Sequence, residues 1–198
     1  MARPFRQQID EGILDRAAAL FARRGFAKTS LQDVADAVGL SKAGLLHHFP
    51  SKDALHEAVL AQAEAQARGV LDEVGSMPLG AARDRRAVEV VVDVALAHPG
   101  LVALMLAPVL QADAEPVPGA GTSGAAALEA FGVDLETSDA ERLVRVLGAL
   151  GALAVLSLAA HHENQTTTWR AHVAATCFDA LGHRRPGAAL PSSDQVEA

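Results

Sequence analysis

Two groups of side chains in this 198-residue chain have types and spacing that could do chemistry. Between positions 29 and 52 lie the hydroxyls of Thr29, Ser41 and Ser51, the ammonium groups of Lys42 and Lys52, and the imidazole of His47. Donors of this kind, set close together and interleaved with small residues, suit the phosphates and base edges of a nucleic acid. The second group is His98, His161, His162 and His172 with Glu163, all types that can bind a metal ion. Adjacent His161 and His162 point about 100° apart on a helix and so cannot easily share one ion. Imidazoles near a helix C-terminus are favoured by its dipole, and solvated helix-end histidines are the preferred reading. An all-helical enzyme or metal-dependent protein using these histidines is kept as the alternative. The single cysteine, Cys177, can neither form an internal disulfide nor complete a thiolate zinc site, and it fits a reducing compartment. No nucleophile and base pair, phosphate-cradling loop or HExxH motif is present, so neither catalysis nor a cofactor is expected.

The elements that must position these groups are helices. Half of the residues are apolar and 21% are charged, enough for one or two domains with a real core. Tyrosine is absent, and β-branched residues rarely cluster outside positions 88 to 94, which leaves strands hard to place. Ile9, Ile13, Leu14, Ala17, Leu20 and Phe21 recur at the spacing of a helix with one buried face, stopped by Gly25. Ser30, followed by Leu31, Val34, Ala35 and Val38, starts a second helix that Gly39 ends, with Asp33 in its first turn. Ser41 opens a third helix through Phe49. Pro50 ends it, and Ser51 caps a fourth that runs to about Val74. Further on, positions 81 to 97 and 101 to 111 read as two helices separated by the breaker His98-Pro99-Gly100. The stretch 112 to 124 reads as a linker, and 125 to 131 as a short helix. Ser138 with Glu141 resembles a capping box for a long apolar helix from Asp139 to about His162. Thr167 or Thr168 is expected to cap the last helix, which runs to about Leu181. The polar tail from His183 is expected to be mobile.

The segment from Thr29 to Ala54 solves one geometric problem, that of packing two short helices at a steep angle. Ala35 leaves room only for a methyl where they cross, and Gly39 gives the turn a conformation that a β-carbon resists. This is a helix-turn-helix, whose second helix enters the major groove with its N-terminal residues at the bases. With Leu45 and Phe49 buried, Lys42, Ala43, Gly44, Leu46 and His47 face outward. Lys42 and His47 can bond bases or phosphates, Ala43 and Leu46 can touch a thymine methyl, and Gly44 permits close approach. Lys52, Thr29, Ser41 and Ser51 are the natural phosphate ligands, with backbone donors at the start of the fourth helix. Arg3 and Arg6 could reach a groove or phosphates from the N-terminal arm, or remain solvated.

Over Ile13 to about Val59 the sequence resembles the TetR family of one-component transcriptional regulators. The resemblance rests on Gly25-Phe26, Thr29-Ser30, Leu31 to Ala35, Gly39, Ser41-Lys42, and His48-Phe49-Pro50-Ser51-Lys52. It implies that Thr29, Lys42, His47, His48 and Lys52 lie on the DNA side, with Lys52 on phosphate. The alternative for His48 is packing against the fourth helix. Leu46 stands where the family usually has tyrosine, and Ala43-Gly44 where it often has Gly-Thr, so the operator contacts differ in detail. The chain is read as all-α, with a helix-turn-helix head at 1–56, an effector-binding and dimerisation body at 57–183, and a polar tail at 184–198; the family further implies a helical, dimeric body after the head. Its members are most often repressors that act as homodimers on a two-fold operator and release it when a small molecule binds.

Charge and composition fit this division. The net charge of -7 splits into +2 over residues 1–56, from eight basic and six acidic residues, and -9 over 57–198, from nine and eighteen. Leu143 to Ala160 is too apolar all round for a surface helix, and Gly148, Gly151 and Ala152 allow close approach. With Ala171, Ala174, Ala175, Phe178 and Leu181 it can form half of a four-helix bundle that a second copy completes, burial within one subunit being the competing explanation. An effector cavity is expected around the Pro99 break, lined by His98, Leu101, Leu104, Met105 and Phe131; the scarcity of aromatics favours a compact apolar or mildly polar ligand. The longest uncharged apolar run, Val146 to Ala160, falls short of the roughly 20 residues of a bilayer-crossing helix. No secretory signal is recognisable at the start, and a cytoplasmic location without membrane partner is expected. The remaining alternative is a dimer whose DNA head has decayed, leaving an interaction module.

Overall fold

The structure, a computed structural model, describes residues 3–110 and 120–183, with side chains over 7–105 and 125–183. Among these residues the chain forms α1 (Arg3–Arg24), α2 (Leu31–Val38), α3 (Lys42–His48), α4 (Lys52–Val74), α5 (Ala81–Ala97), α6 (Pro99–Leu110), α7 (Ala120–Ala130), α8 (Ala140–His162) and α9 (Thr166–Ala180). The fold is all-helical, as expected.

Local chemistry sets the boundaries at the N-terminal end. Gly25 ends α1 at φ +79° and Gly39 ends α2 at φ +71°, the left-handed region that a β-carbon disfavours. Ser30 and Asp33 form a reciprocal capping box on α2, while Ser41 and Ser51 accept the Gly44 and Ala54 amides to start α3 and α4. Further along, several caps differ from the sequence reading. Asp139, not Ser138, caps α8 by accepting from the Glu141 and Arg142 amides. The Ser138 hydroxyl instead accepts from Asp134 N at 2.8 Å, closing the preceding turn. Gln165 occupies the cap of α9 without a side-chain bond, and the helix starts at Thr166, ahead of Thr167 and Thr168. Helix α7 begins at Ala120, inside the stretch read as a linker. The break between α5 and α6 narrows to His98, because Pro99 is tolerated as the first residue of a helix; the axis bends there by 106°. The tail at 184–198 lies outside the described residues.

Two hydrophobic cores result. The first joins α1 (Ile13, Ala17, Phe21), α2 (Val34, Ala35), α3 (Leu45) and the start of α4 (Leu55, Val59) to Leu101 and Leu104 of α6. The second joins Val70 and Val74 of α4 to α5, α7, α8 and α9 around Val92, Phe131, Val146 and Val173. Each fully buried side chain of this size contributes about 1.5–3 kcal/mol to folding. The domain boundary expected at 56/57 falls inside α4, which serves both cores.

One charged cluster stitches the second core. Asp84, 1% exposed, accepts from both Nη atoms of Arg142 at 2.9 and 2.7 Å and from His183 Nε2 at 2.6 Å. Arg83 donates to the carbonyls of Met77, Glu129 and Ala130, and Arg142 to that of Phe131, so the two guanidiniums satisfy the open C-terminal end of α7. Helix α8, at 23 residues, is by length and composition apolar enough to cross a membrane, unlike the shorter run read from the sequence; a third of that stretch is buried inside the chain.

Candidate nucleic-acid interface

The candidate surface is built on α3. Ala35, fully buried, lets α2 and α3 approach, and the Leu40 amide closes the turn on Ala35 O at 2.9 Å. Leu45 anchors α3 in the first core with no exposed surface. Its opposite side is thereby fixed outward: Ser41, Lys42, Ala43, Leu46 and His47 are exposed and Gly44 half-buried. A methyl on Gly44 would sit 3.3 Å from Ser41 Oγ, so a larger residue there would crowd the cap. The face offers one ammonium, one imidazole, a hydroxyl and two small apolar contacts, a set that matches base edges and thymine methyls in a major groove.

Lys52 is held rather than free. Its Nζ donates to Ala27 O at 3.3 Å and lies 4.2 Å from the centre of the Phe26 ring. Its ammonium is thus placed beside the turn before α2, at the N-terminus of α4, where free backbone N–H groups favour negative charge. Ser51 accepts the Ala54 amide, and its hydroxyl hydrogen remains available to an outside acceptor.

Two expected contacts point elsewhere. Thr29 is 1% exposed, and its hydroxyl donates to Gly25 O at 2.9 Å, tying the turn to the end of α1. His48 is largely covered, and its Nδ1 donates to Asp10 Oδ1 at 2.6 Å, locking the end of α3 to α1 rather than to α4. Asp10 was not singled out from the sequence; an acid on the edge of the apolar stripe of α1 is its only signal there. Asp33 is held below the ordinary carboxylate range by the Ser30 hydroxyl and amide, and Arg24 pairs with it at 2.9 Å. The side chains of Arg3 and Arg6 lie outside those described.

The residues expected around an effector are not gathered in one place. Leu101 and Leu104 are buried in the first core, Phe131 in the second, and Met105 is 40% exposed. His98 meets Gln66, with Nε2 to Nε2 at 3.4 Å, and lies at the bend between α5 and α6. The other histidines are dispersed: His161 Nε2 donates to Leu96 O at 2.6 Å, His162 pairs with Glu163, and His172 lines a groove of about 210 Å³ between α8 and α9 with Leu156, Trp169 and Thr176. Inside the second core, burial pushes the Cys177 thiol up to about 11.

Comparison with known proteins places these features in context. Residues 13–59 match the family model for bacterial regulatory proteins, tetR family. The repressor KstR2 of Rhodococcus jostii is 42% identical over 62 residues, covering 31% of this chain and 27% of that protein. The regulator RutR of Escherichia coli is 46% identical over 52 residues, covering 26% and 24%. The similarity thus spans about a quarter of the length of these curated relatives. Two solved structures share the fold: the TetR family regulator PfmR of Thermus thermophilus, at 22% identity and a TM-score of 0.52 over 89% of this chain and 97% of that one, and a tetR family regulator of a Shewanella species, at 20% and 0.51 over 87% and 95%.

Proposed function

We propose that this chain, whose residues 13–59 match the family model for bacterial regulatory proteins, tetR family, is a transcriptional repressor that binds a two-fold operator as a homodimer and leaves it when a small molecule binds the body. The observation that carries this reading is the outward face of α3, with Lys42, Ala43, Leu46 and His47 presented on a helix whose other side is buried. Ser41, Ser51, Gly44 and Lys52 flank it as phosphate and backbone contacts. Thr29 and His48 serve in this reading as supports of the head.

The two copies meet through α8 and α9. Val144, Leu147, Gly148, Gly151 and Val155 form one stripe on the solvent side of α8, with the three large residues 67%, 50% and 57% exposed. A β-carbon on Gly148 or Gly151 would meet nothing within 4 Å, so a partner backbone can approach closely. On α9, Ala171 is exposed and suits the same contact, whereas Leu181 is buried in its own subunit and Phe178 is stacked between His183 and Arg85. The functional division is a head at 1–56 and a body at 57–183, joined through α4. Ligand acts by population shift: it must bind the operator-incompetent spacing of the two heads more tightly, or it changes nothing.

The experiment is selection of random duplex DNA on the purified protein, followed by anisotropy titration of the selected sequence across salt. An inverted repeat bound far above scrambled DNA is the expected result; absence of enrichment overturns the reading. Lys42→Ala should weaken binding and lower the salt slope by about one, as loss of a phosphate contact does. Lys52→Ala should have the smaller effect on specificity, because its ammonium sits over Phe26 rather than on the reading face.

A further inference from the structure

The apolar stripe of α4, Leu55, Val59, Ala63, Val70 and Val74, is interrupted by Gln62 and Gln66. The interruption falls where the first core ends, at Ala63, and before the second begins, at Val70. One turn apart, the two glutamines share a face of the helix. Gln66 reaches His98 at the α5 to α6 bend. Gln62 differs: both Nε2 and Oε1 are buried and have no hydrogen-bond partner among the described residues. A carboxamide closed off from solvent with donor and acceptor both unmet is a standing penalty on the folded state, and native proteins seldom keep one.

We propose that Gln62, with Gln66 and His98, is the recognition site for a small neutral molecule bearing a planar edge with an N–H donor beside a carbonyl acceptor, as in a lactam, carboxamide or imide. This rests on the ligand-responsive reading above. A carboxamide presents a donor and an acceptor side by side, and a planar edge with the reverse pair satisfies both at once. A neutral ligand is favoured over an anion because the Asp15 carboxylate stands at the same bend, accepting the Gly100 amide. The ligand has differential affinity by construction. The closed seam leaves the Gln62 carboxamide unpaired, whereas an opened seam holding the ligand pairs it, so binding draws the two cores apart along α4.

The test is thermal melting and calorimetry of the full chain with 2-pyrrolidinone, a lactam, and with cyclopentanone, which keeps the ring and carbonyl but lacks the N–H. Millimolar 2-pyrrolidinone should raise the Tm and give binding heat at least tenfold above cyclopentanone. Gln62→Leu should melt about 2–8 °C above the native chain, since an apolar side chain relieves the unmet groups, and should abolish the 2-pyrrolidinone response. Gln62→Met, closer in shape, repeats the test if leucine disturbs packing. No response to 2-pyrrolidinone, equal responses to the two probes, or a response retained in both variants overturns the site. Melting of both variants below the native chain overturns the unmet-carboxamide argument. Operator binding should stay within about twofold in both, so failure of the regulator reading shows separately, as lack of DNA selection by the native chain.

Discussion

Asp15 holds a carboxylate between the head and the body of the molecule: its Oδ1 accepts from the amides of Gly100 at 2.8 Å and Leu101 at 3.2 Å, capping α6 from α1. Burial pushes its carboxyl above the ordinary value of 3.8, while the Leu101 and Gly100 amides, His98 and Arg16 pull the other way. Because the folded state keeps this proton to higher pH than the unfolded chain, Asp15 contributes stability that is complete below pH 3.8 and lost as pH rises through its folded value. Asp33 and Asp93, held low by the Ser30 hydroxyl and by Arg170, act in the opposite sense and lose their contribution as pH falls. Asp15→Asn keeps the acceptor and removes the charge. Urea denaturation of both proteins from pH 3 to 7 should therefore show the native chain losing ground to the variant as pH rises above 3.8. A gain instead would mean that the α6 dipole outweighs desolvation. Residue types were legible in the sequence; directions were not. Lys42 and His47 face outward as read, because Leu45 fixes the phase of α3. Thr29 and His48 turn inward toward Gly25 and Asp10, partners whose nearness depends on how α1 lies across the head.

At the scale of elements, the contact between α1 and α6 is, among the described residues, the closest for which a β-carbon would have no room. A methyl on Gly100 would fall 1.8 Å from the Asp15 carbonyl oxygen, a main-chain atom that no rotamer change can move. Leu101, the next residue, and Leu104, one turn further on, belong to the core of the head, so α6 is packed as part of that unit although it follows α5 in the chain. Gly100→Ala must separate the two helices. We expect a loss of about 1–3 kcal/mol or more in urea denaturation, as for an overpacked core, together with weaker operator binding, whereas Asp15→Asn leaves binding nearly unchanged. Equal stability of Gly100→Ala and native chain would show that α1 and α6 can part without consequence. The first four helices were legible because each carries its own punctuation, Gly25, Ser30, Gly39, Ser41 and Ser51. The body was less so. There Pro99 starts a helix instead of ending one, Asp139 takes the cap from its neighbour Ser138, and Gln165 gives no side-chain signal at all. The partition of the presumed effector residues between two cores depends on tertiary packing, which periodicity along one helix does not contain.

For the whole molecule the question is what covers α8. Its buried side, Val146, Ala149, Leu153 and Ala160, belongs to the second core, yet its solvent side is also apolar. A helix apolar all round is stable in water only when something encloses it. The proposed homodimer would cover it: a two-fold axis would set the stripe of Val144, Leu147 and Val155 against itself, with Gly148 and Gly151 admitting close backbone approach, and would double the proposed reading heads to match an inverted repeat. A bilayer is the other environment that would accept such a helix, and the two are separable. Leu147→Arg with Val155→Arg places two cations in the centre of the stripe, where a self-facing contact brings like charges together. Light scattering on a size-exclusion column should give a dimer for the native chain and a monomer for the variant. The variant should keep a folded far-ultraviolet spectrum, because the substituted positions lie outside both cores, and should lose at least tenfold in affinity for the inverted repeat while still binding a single half-site weakly. A native chain that is monomeric in solution and floats with phosphatidylcholine vesicles, in a manner abolished by the same two arginines, would instead assign the stripe to lipid.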